Sequence, residues 1–105
     1  MPIVDFNNVD LLDGFWKNRY KLNITSSIPN IIKRFESTRL AALRFTFNEK
    51  NNLSHRYYDS DSFKLIEAIA YVLLKNRNDY KDLESLCDDL ILNIKNHQLE
   101  NGYFN

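Results

Sequence analysis

Residues 55–74 read HRYYDSDSFKLIEAIAYVLL and predict the central helix of the protein. The helix opens with four side chains that can cap its free N–H groups, two of them carboxylates that suit its positive end: Asp59, Ser60, Asp61 and Ser62. Apolar residues then cover most of its surface. The polar remainder falls at spacings of three and four on one narrow stripe: Lys64, Glu67, Tyr71 and Lys75. This pattern is typical of an interior helix with one polar line facing solvent or a cleft.

Composition limits the partners and the location of the chain. Its 105 residues are enough for one small domain, and 14 basic residues balance 14 acidic ones. A formal net charge of zero argues against a nucleic acid or an anionic membrane as partner, because both attract excess positive charge. The first residues lack the features of a secretory signal, and no apolar run reaches transmembrane length. We therefore expect a cytoplasmic protein that binds neither nucleic acid nor membrane.

Further helical periodicities predict an all-α fold. A helix over about 28–47 starts at the cap residues Ser26 and Ser27 with Pro29 in its first turn, and a weaker helical patch at 40–45 continues or follows it. A polar loop is expected from about 48 to 56. Residues 1–27 are expected to form an irregular arm. It would lay Phe15 and Trp16 onto a neighbouring surface, although the Trp16 ring would also suit stacking on a sugar.

The C-terminal third carries the most regular amphipathic pattern of the chain. It predicts a helix over about 80–100, capped by Asp79 and stopped at Gly102. The central helix, over about 61–75, is joined to it by a short connection, which makes the two an antiparallel hairpin with a buried and a half-exposed partner.

Few side chains of this sequence indicate catalysis or metal binding. Cys87 lies on the apolar stripe of the last helix and is expected to be a core residue, because a reactive thiolate needs an accessible, electropositive site. His55 and His97 have no further ligands at metal-binding spacing, so no metal site is expected.

The acidic residues of the central helix allow two interpretations each. Asp59 and Asp61 could form an acid/base pair, but capping explains them without catalysis. Glu67 either lines a cleft or pairs with Lys64 one turn earlier.

Four motifs together resemble the N-terminal end of the β-L-arabinofuranosidase family of glycoside hydrolases (family 127). In that family they read roughly D-x-F-W, T-I-P, D-S-D-x-Y-K-x-L-E-A and Q-x-x-D-G-Y-L. The matching segments of this chain, in order, are Asp13-Gly14-Phe15-Trp16, Ser27-Ile28-Pro29, residues 58–68 and residues 98–105. Phe63 stands for the usual Tyr, and Asn101 stands for the usual Asp.

The resemblance implies part of an (α/α)6 toroid that hydrolyses terminal L-arabinofuranose or a similar sugar. The resemblance also implies the chemistry of that family, in which a zinc-bound cysteine thiolate is the nucleophile and a glutamate is the acid/base. None of these residues is matched here, so the zinc site is expected further downstream, and this chain is expected to have no catalytic residue and no cofactor of its own. The matched positions that would help to shape the sugar-binding end are Asp61, Lys64, Glu67, Gln98 and Tyr103.

One hairpin and a preceding helix cannot close a six-hairpin toroid. We therefore expect residues 1–105 to be a single incomplete domain that is inactive alone and ends inside a motif. Its partners would be the rest of the barrel or a second copy, with carbohydrate bound by the complete enzyme. One alternative is a self-contained three- or four-helix interaction module. The other is a different six-hairpin sugar enzyme, an unsaturated glucuronyl hydrolase or an epimerase, which a downstream Cys-rich segment with a nearby Glu would exclude.

Overall fold

A computed structural model describes residues 3–44 and 57–104, and within these ranges every regular element is helical. The predicted all-α class is thereby confirmed. The elements are a 3-10 turn at Phe6–Asn8 and the helices α1 (Phe15–Leu22), α2 (Ile28–Phe35), α3 (Arg39–Leu43), α4 (Tyr58–Asn76) and α5 (Lys81–His97). The predicted loop at 48–56, which includes His55, lies outside the described residues, as do positions 45–47 of the predicted second helix.

The predicted irregular arm is wrong for residues 15–27, which are helical. Gly14, with φ +128°, ends the irregular segment directly before α1. No Pro or Gly interrupts the chain from there to Pro29, so nothing stops the helix. A π turn at Asn23–Ser27 joins α1 to α2 without a break. The predicted cap at Ser27 is therefore also wrong, because Ser27 is itself helical and the N–H of Ile28 bonds the carbonyl of Asn23.

The π turn follows from the spacing of the side chains that face the core. Tyr20, Ile24, Ile28 and Ile32 are all buried or half-buried and succeed one another by four residues. In an α-helix each four-residue step overshoots one turn by about 40°, so three steps would rotate the row out of the core. A single wider turn accommodates roughly one extra residue and keeps the row facing inward.

The predicted helix over 28–47 is divided. Thr38 adopts φ −121° and ψ −90°, which breaks the helix after Phe35, and its Oγ1 donates to the carbonyl of Arg34 at 3.1 Å. The weak patch therefore follows as the separate helix α3. Pro29 lies in the first turn of α2, as predicted. The Arg39 guanidinium stacks over the Phe35 ring at 4.7 Å and holds the two helices together.

Helices α4 and α5 form the predicted hairpin, joined at residues 77–80. Arg77 Nη2 lies 2.6 Å from Glu84 Oε1 and fixes this connection. At the other end of the hairpin the Phe63 and Phe104 rings lie 6.2 Å apart. The start of α4 and the segment after α5 therefore meet, as antiparallel packing requires.

The core lies between α4 and the other helices. It is formed by apolar side chains from the π turn and from α2, α3, α4 and α5: Ile24, Ile28, Leu40, Leu43, Leu65, Ile69, Val72, Cys87 and Leu90. Leu40, Leu43, Ile69 and Leu90 are fully buried. The Asn93 amide of α5 donates to the carbonyl of Leu43 at 2.7 Å, so a polar bond satisfies the end of α3 beside this core.

The predicted helix ends differ in chemistry from those observed. Helix α4 begins at Tyr58, so Asp59 and Asp61 lie inside its first turn and suit its dipole. Asp59 Oδ1 accepts a hydrogen bond from the N–H of Ser60 at 2.8 Å, so the predicted bonding of this carboxylate to a free N–H of the first turn is confirmed. Buried Ser62 does not cap, because its hydroxyl donates backwards to the carbonyl of Tyr58. Likewise Tyr80 precedes α5 without a side-chain cap, so the cap predicted at Asp79 is wrong.

Helix α5 ends at His97, earlier than predicted. Gly102, with φ +85°, serves a separate tight turn in which its N–H bonds the carbonyl of Leu99 at 2.8 Å.

Candidate functional site

The described part of the predicted arm that precedes α1, residues 3–14, is called the arm from here on. It crosses the C-terminal half of the polar stripe on α4. The Lys75 ammonium donates to the carbonyl of Val9 and lies 3.0 Å from Asp10 Oδ1. It also lies 5.1 Å from the centre of the Phe6 ring, and that ring meets the Tyr71 ring edge to face at 5.3 Å. One lysine of α4 thus holds the arm through its backbone, a carboxylate and an aromatic ring.

A cavity of about 370 Å³ lies between the arm, α1 and α4. We call it the arm cavity. Its residues form an apolar wall on the arm side and a polar wall on the helices: Phe6, Val9, Asp10, Leu11, Lys17, Tyr20, Lys75 and Asn76. Its size falls in the range of small-molecule sites in proteins, which typically combine apolar walls with a few polar groups.

One hydrogen bond organises the polar wall of the arm cavity. The Asn76 amide donates to the Tyr20 hydroxyl at 2.9 Å and joins α1 to the end of α4. Burial raises the pKa of Tyr20, against the lowering effects of this hydrogen bond and of the Lys75 charge. The phenol therefore keeps its proton near neutral pH and can donate it. Among residues 3–44 and 57–104, no group accepts that proton and none bonds the Asn76 amide oxygen.

Asp61, the first of the predicted cleft residues, faces another part of the protein. Its Oδ2 accepts a hydrogen bond from Arg39 Nε at 3.1 Å, and both side chains are about one quarter exposed. It links α4 to α3, so its position in the structure is explained by a helix-to-helix ion pair.

Lys64 and Glu67 lie exposed on the part of the polar stripe that the arm leaves open. Within the described part of the chain no ion pair joins them. The pairing interpretation of Glu67 is therefore wrong here, and the side chain is solvated.

Gln98 and Tyr103 belong to the tight turn after α5. Gln98 Nε2 donates to the carbonyl of Gly102 at 2.8 Å, and the N–H of Tyr103 donates to Asn101 Oδ1 at 3.0 Å. Burial raises the pKa of Tyr58 at the start of α4, and the nearby Asp59 and Tyr103 add to the shift. The turn therefore lies beside the start of α4, at the same end of the hairpin as Asp61, whereas Glu67 lies further along α4.

The resemblance implies a zinc site further downstream, and Cys87 and His97 of this chain each contact a nearby backbone carbonyl. The described ranges bring no three His, Cys, Asp or Glu side chains together. Cys87 is 4% exposed, its Sγ lies 3.8 Å from the carbonyl oxygen of Ile66, and burial raises the pKa of its thiol. His97 Nδ1 lies 2.8 Å from the carbonyl oxygen of Asn93. The prediction that Cys87 is a core residue is confirmed.

Contrary to the prediction, Phe15 and Trp16 do not pack onto the rest of the described chain. Trp16 is 70% exposed and Phe15 is 59% exposed, and their rings meet edge to face at 5.0 Å. Arg19 lies over the Phe15 ring at 5.0 Å. The pair presents an aromatic surface on α1 to the outside.

Sequence reasoning missed the arm cavity because it treated residues 1–27 as irregular. The absence of Gly and Pro between Gly14 and Pro29 was the available signal for α1. Once α1 is recognised, Lys17 and Tyr20 share one face at a spacing of three. The contact of the arm with Lys75 spans 66 positions, and no local pattern indicates it.

Comparison with models of protein families, with curated proteins and with solved structures gives no match for this chain. Within the described ranges no helix combines the length and the apolar character needed to cross a membrane.

Proposed function

We propose that this chain is the N-terminal part of a glycoside hydrolase similar to the β-L-arabinofuranosidases, and that it is not catalytic alone. The order of its four motifs supports the proposal, since they span nearly the whole chain. The structural observation that carries it is a partly apolar groove between α4 and α5, here called the outer face, whose lining also includes the charged side chains of Arg77, Glu84 and Asp88.

The outer face holds large side chains that solvent reaches. Leu74 is 52% exposed and Ile91 is 51% exposed, and with Ala70 and Leu73 they line a groove of about 280 Å³ between the two helices. Each Å² of such surface removed from water gains about 25 cal/mol, so a further helix layer would be stabilised here. In an (α/α)6 toroid a following hairpin would supply that layer.

The dimensions of the chain favour the same proposal. Its radius of gyration is 16.0 Å and its extents are 47 × 31 × 27 Å. A compact domain of this length has a radius of about 13 Å. The excess, together with the exposed Phe15 and Trp16, fits a piece that packs against more protein. The Trp16 ring is also open to a sugar, the ligand class of the proposed enzyme.

A self-contained helical interaction module is the second candidate, and the core favours it. Side chains from the π turn and from α2, α3, α4 and α5 share one buried cluster, and several have no exposed surface at all. Such a core can stabilise a small bundle alone, in which case the outer face would bind another protein or a second copy.

The proposal is tested by the mass and the activity of the natural product. An antibody against the α5 segment 81–97 would be used to blot and purify the protein from source extract. We expect a band several times larger than 12.5 kDa whose eluate hydrolyses an aryl β-L-arabinofuranoside, and whose activity a zinc chelator removes and added zinc restores. Preimmune serum is the control.

Each contrary result points to one alternative. A band at 12.5 kDa with cooperative unfolding as a monomer would favour the interaction module. A large band that cleaves unsaturated glucuronides, or epimerises a free sugar, would favour another six-hairpin enzyme. Cell fractionation of the same extract tests the cytoplasmic location.

A further inference from the structure

The arm cavity has a chemical character that the proposed glycosidase role does not use. Its wall on the arm side is apolar, formed by Phe6, Val9 and Leu11. On the opposite wall the Tyr20 hydroxyl can donate a hydrogen bond and the Asn76 amide oxygen can accept one. A ligand that fills the cavity needs an apolar body with a polar group on it.

The charged groups that line the arm cavity further limit the class of ligand that it can bind. Two ammonium groups and one carboxylate line the cavity, which leaves one positive charge in excess. Lys75 and Asp10 lie 3.0 Å apart and neutralise one another. Lys17 is the excess cation, because its only ion pair among the described residues is a 3.8 Å contact with the fully exposed Asp13. Exposed pairs of this kind are weak, so the Lys17 ammonium is available to a ligand anion.

We propose that the arm cavity binds a small organic carboxylate with an apolar, hydroxyl-bearing body. The carboxylate pairs with Lys17, the body packs on Phe6 and Leu11, and the hydroxyl bonds Tyr20 and Asn76. A free sugar is a poorer match, because it offers less apolar surface to pack on Phe6, Val9 and Leu11. A phosphate is also poorer, because only one cation is uncompensated. The inference is independent of the proposed glycosidase function.

The experiment uses 4-hydroxyphenylacetate as the probe and the neutral 4-hydroxyphenylethanol as its matched control. Amide spectra of the ¹⁵N-labelled chain would be recorded up to about 10 mM of either compound, a range that covers millimolar Kd values. Lys17→Gln removes the proposed anion partner. Lys21→Gln is the control variant, since it removes an exposed lysine of the same helix that does not line the cavity. Circular dichroism confirms that both variants remain folded.

We expect the carboxylate to shift the amides around Phe6, Leu11, Tyr20 and Asn76. Lys17→Gln should weaken its binding roughly two- to fivefold, within the range of one partly exposed ion pair. Binding of the neutral control should not change in this variant, and Lys21→Gln should change neither. The proposal is overturned if the carboxylate shifts no cavity amide, if Lys17→Gln leaves its affinity unchanged, or if L-arabinose binds the cavity better than the carboxylate does.

Discussion

Cys87 lies between α5 and α4 with 4% of its surface exposed, and its surroundings are apolar. Because burial raises the pKa of this thiol, little thiolate forms at neutral pH and reagents reach it poorly. We expect a disulfide reagent to modify native Cys87 roughly tenfold or more slowly than the urea-unfolded chain at the same pH. Equal rates in the two states would show that the thiol is accessible.

Alkaline pH should destabilise the protein. Burial raises the pKa values of Cys87, Tyr20 and Tyr58 above their ordinary values of 9.0, 10.0 and 10.0. Below these values both the folded and the unfolded chain hold the protons, and the stability is complete. As pH rises above them the unfolded chain loses its protons first, so the free energy of unfolding falls. Urea titrations between pH 8 and 11 measure the decline, and Cys87→Ala should make its first part shallower.

Two nearby positions of α4, Glu67 and Ile69, should differ strongly in their effect on stability. Glu67 is solvated, so Glu67→Ala should change the free energy of unfolding by no more than about 1 kcal/mol. Ile69 is fully buried, so Ile69→Ala should cost about 2 to 5 kcal/mol. Urea unfolding of both variants is the measurement. A loss of several kcal/mol for Glu67→Ala would mean that this side chain is buried and paired.

At the scale of elements, Lys75 supplies the polar contacts of α4 with the arm, beside the ring contact of Tyr71 with Phe6. Lys75→Met removes the bonds to Val9 and Asp10 and the contact with the Phe6 ring, while keeping the aliphatic stem. We expect amide exchange in residues 6–9 to become roughly tenfold faster, as for the loss of one charged hydrogen bond. Hydrogen exchange read by NMR checks this.

Lys64→Met is the matched control for the arm, because Lys64 lies on the same stripe of the same helix outside the arm contact. It should leave the exchange of residues 6–9 unchanged. If Lys75→Met also leaves it unchanged, the arm is held by other contacts.

Periodicity was enough to predict the helices that face the core, but not their ends. The apolar stripes of α4 and α5 predicted the hairpin, because burial of one face depends on local spacing. Helix ends depend on competing hydrogen bonds, so the acidic side chain predicted at the start of α4 does bond a free N–H, whereas the cap predicted at Asp79 was wrong. The arm cavity depends on contacts between distant parts of the chain, such as Tyr20 with Asn76. These two residues are 56 positions apart, so no local pattern of spacing relates them.

At the scale of the whole molecule, the outer face should cause the isolated chain to associate. Leu74 and Ile91 are both about half exposed on one groove, and pairing two copies would bury them. We expect the sedimentation coefficient to rise with concentration, and Ile91→Glu to suppress the rise without loss of helix. Ser85→Glu is the control, because it adds the same charge at an exposed polar position of α5. A concentration-independent monomer would contradict this expectation.

The continuous path from α1 through the π turn to α2 has a consequence for how this protein can diverge. Removing one residue from 23–27 would restore a regular α-helix and turn everything before it by about 100° about the axis. Ile28 and the core beyond it would keep their places, while Lys17 and Tyr20 would leave the arm cavity. Single-residue insertions and deletions at this point, rather than substitutions, are therefore the simplest route by which relatives could lose, gain or redirect the cavity while retaining the same bundle.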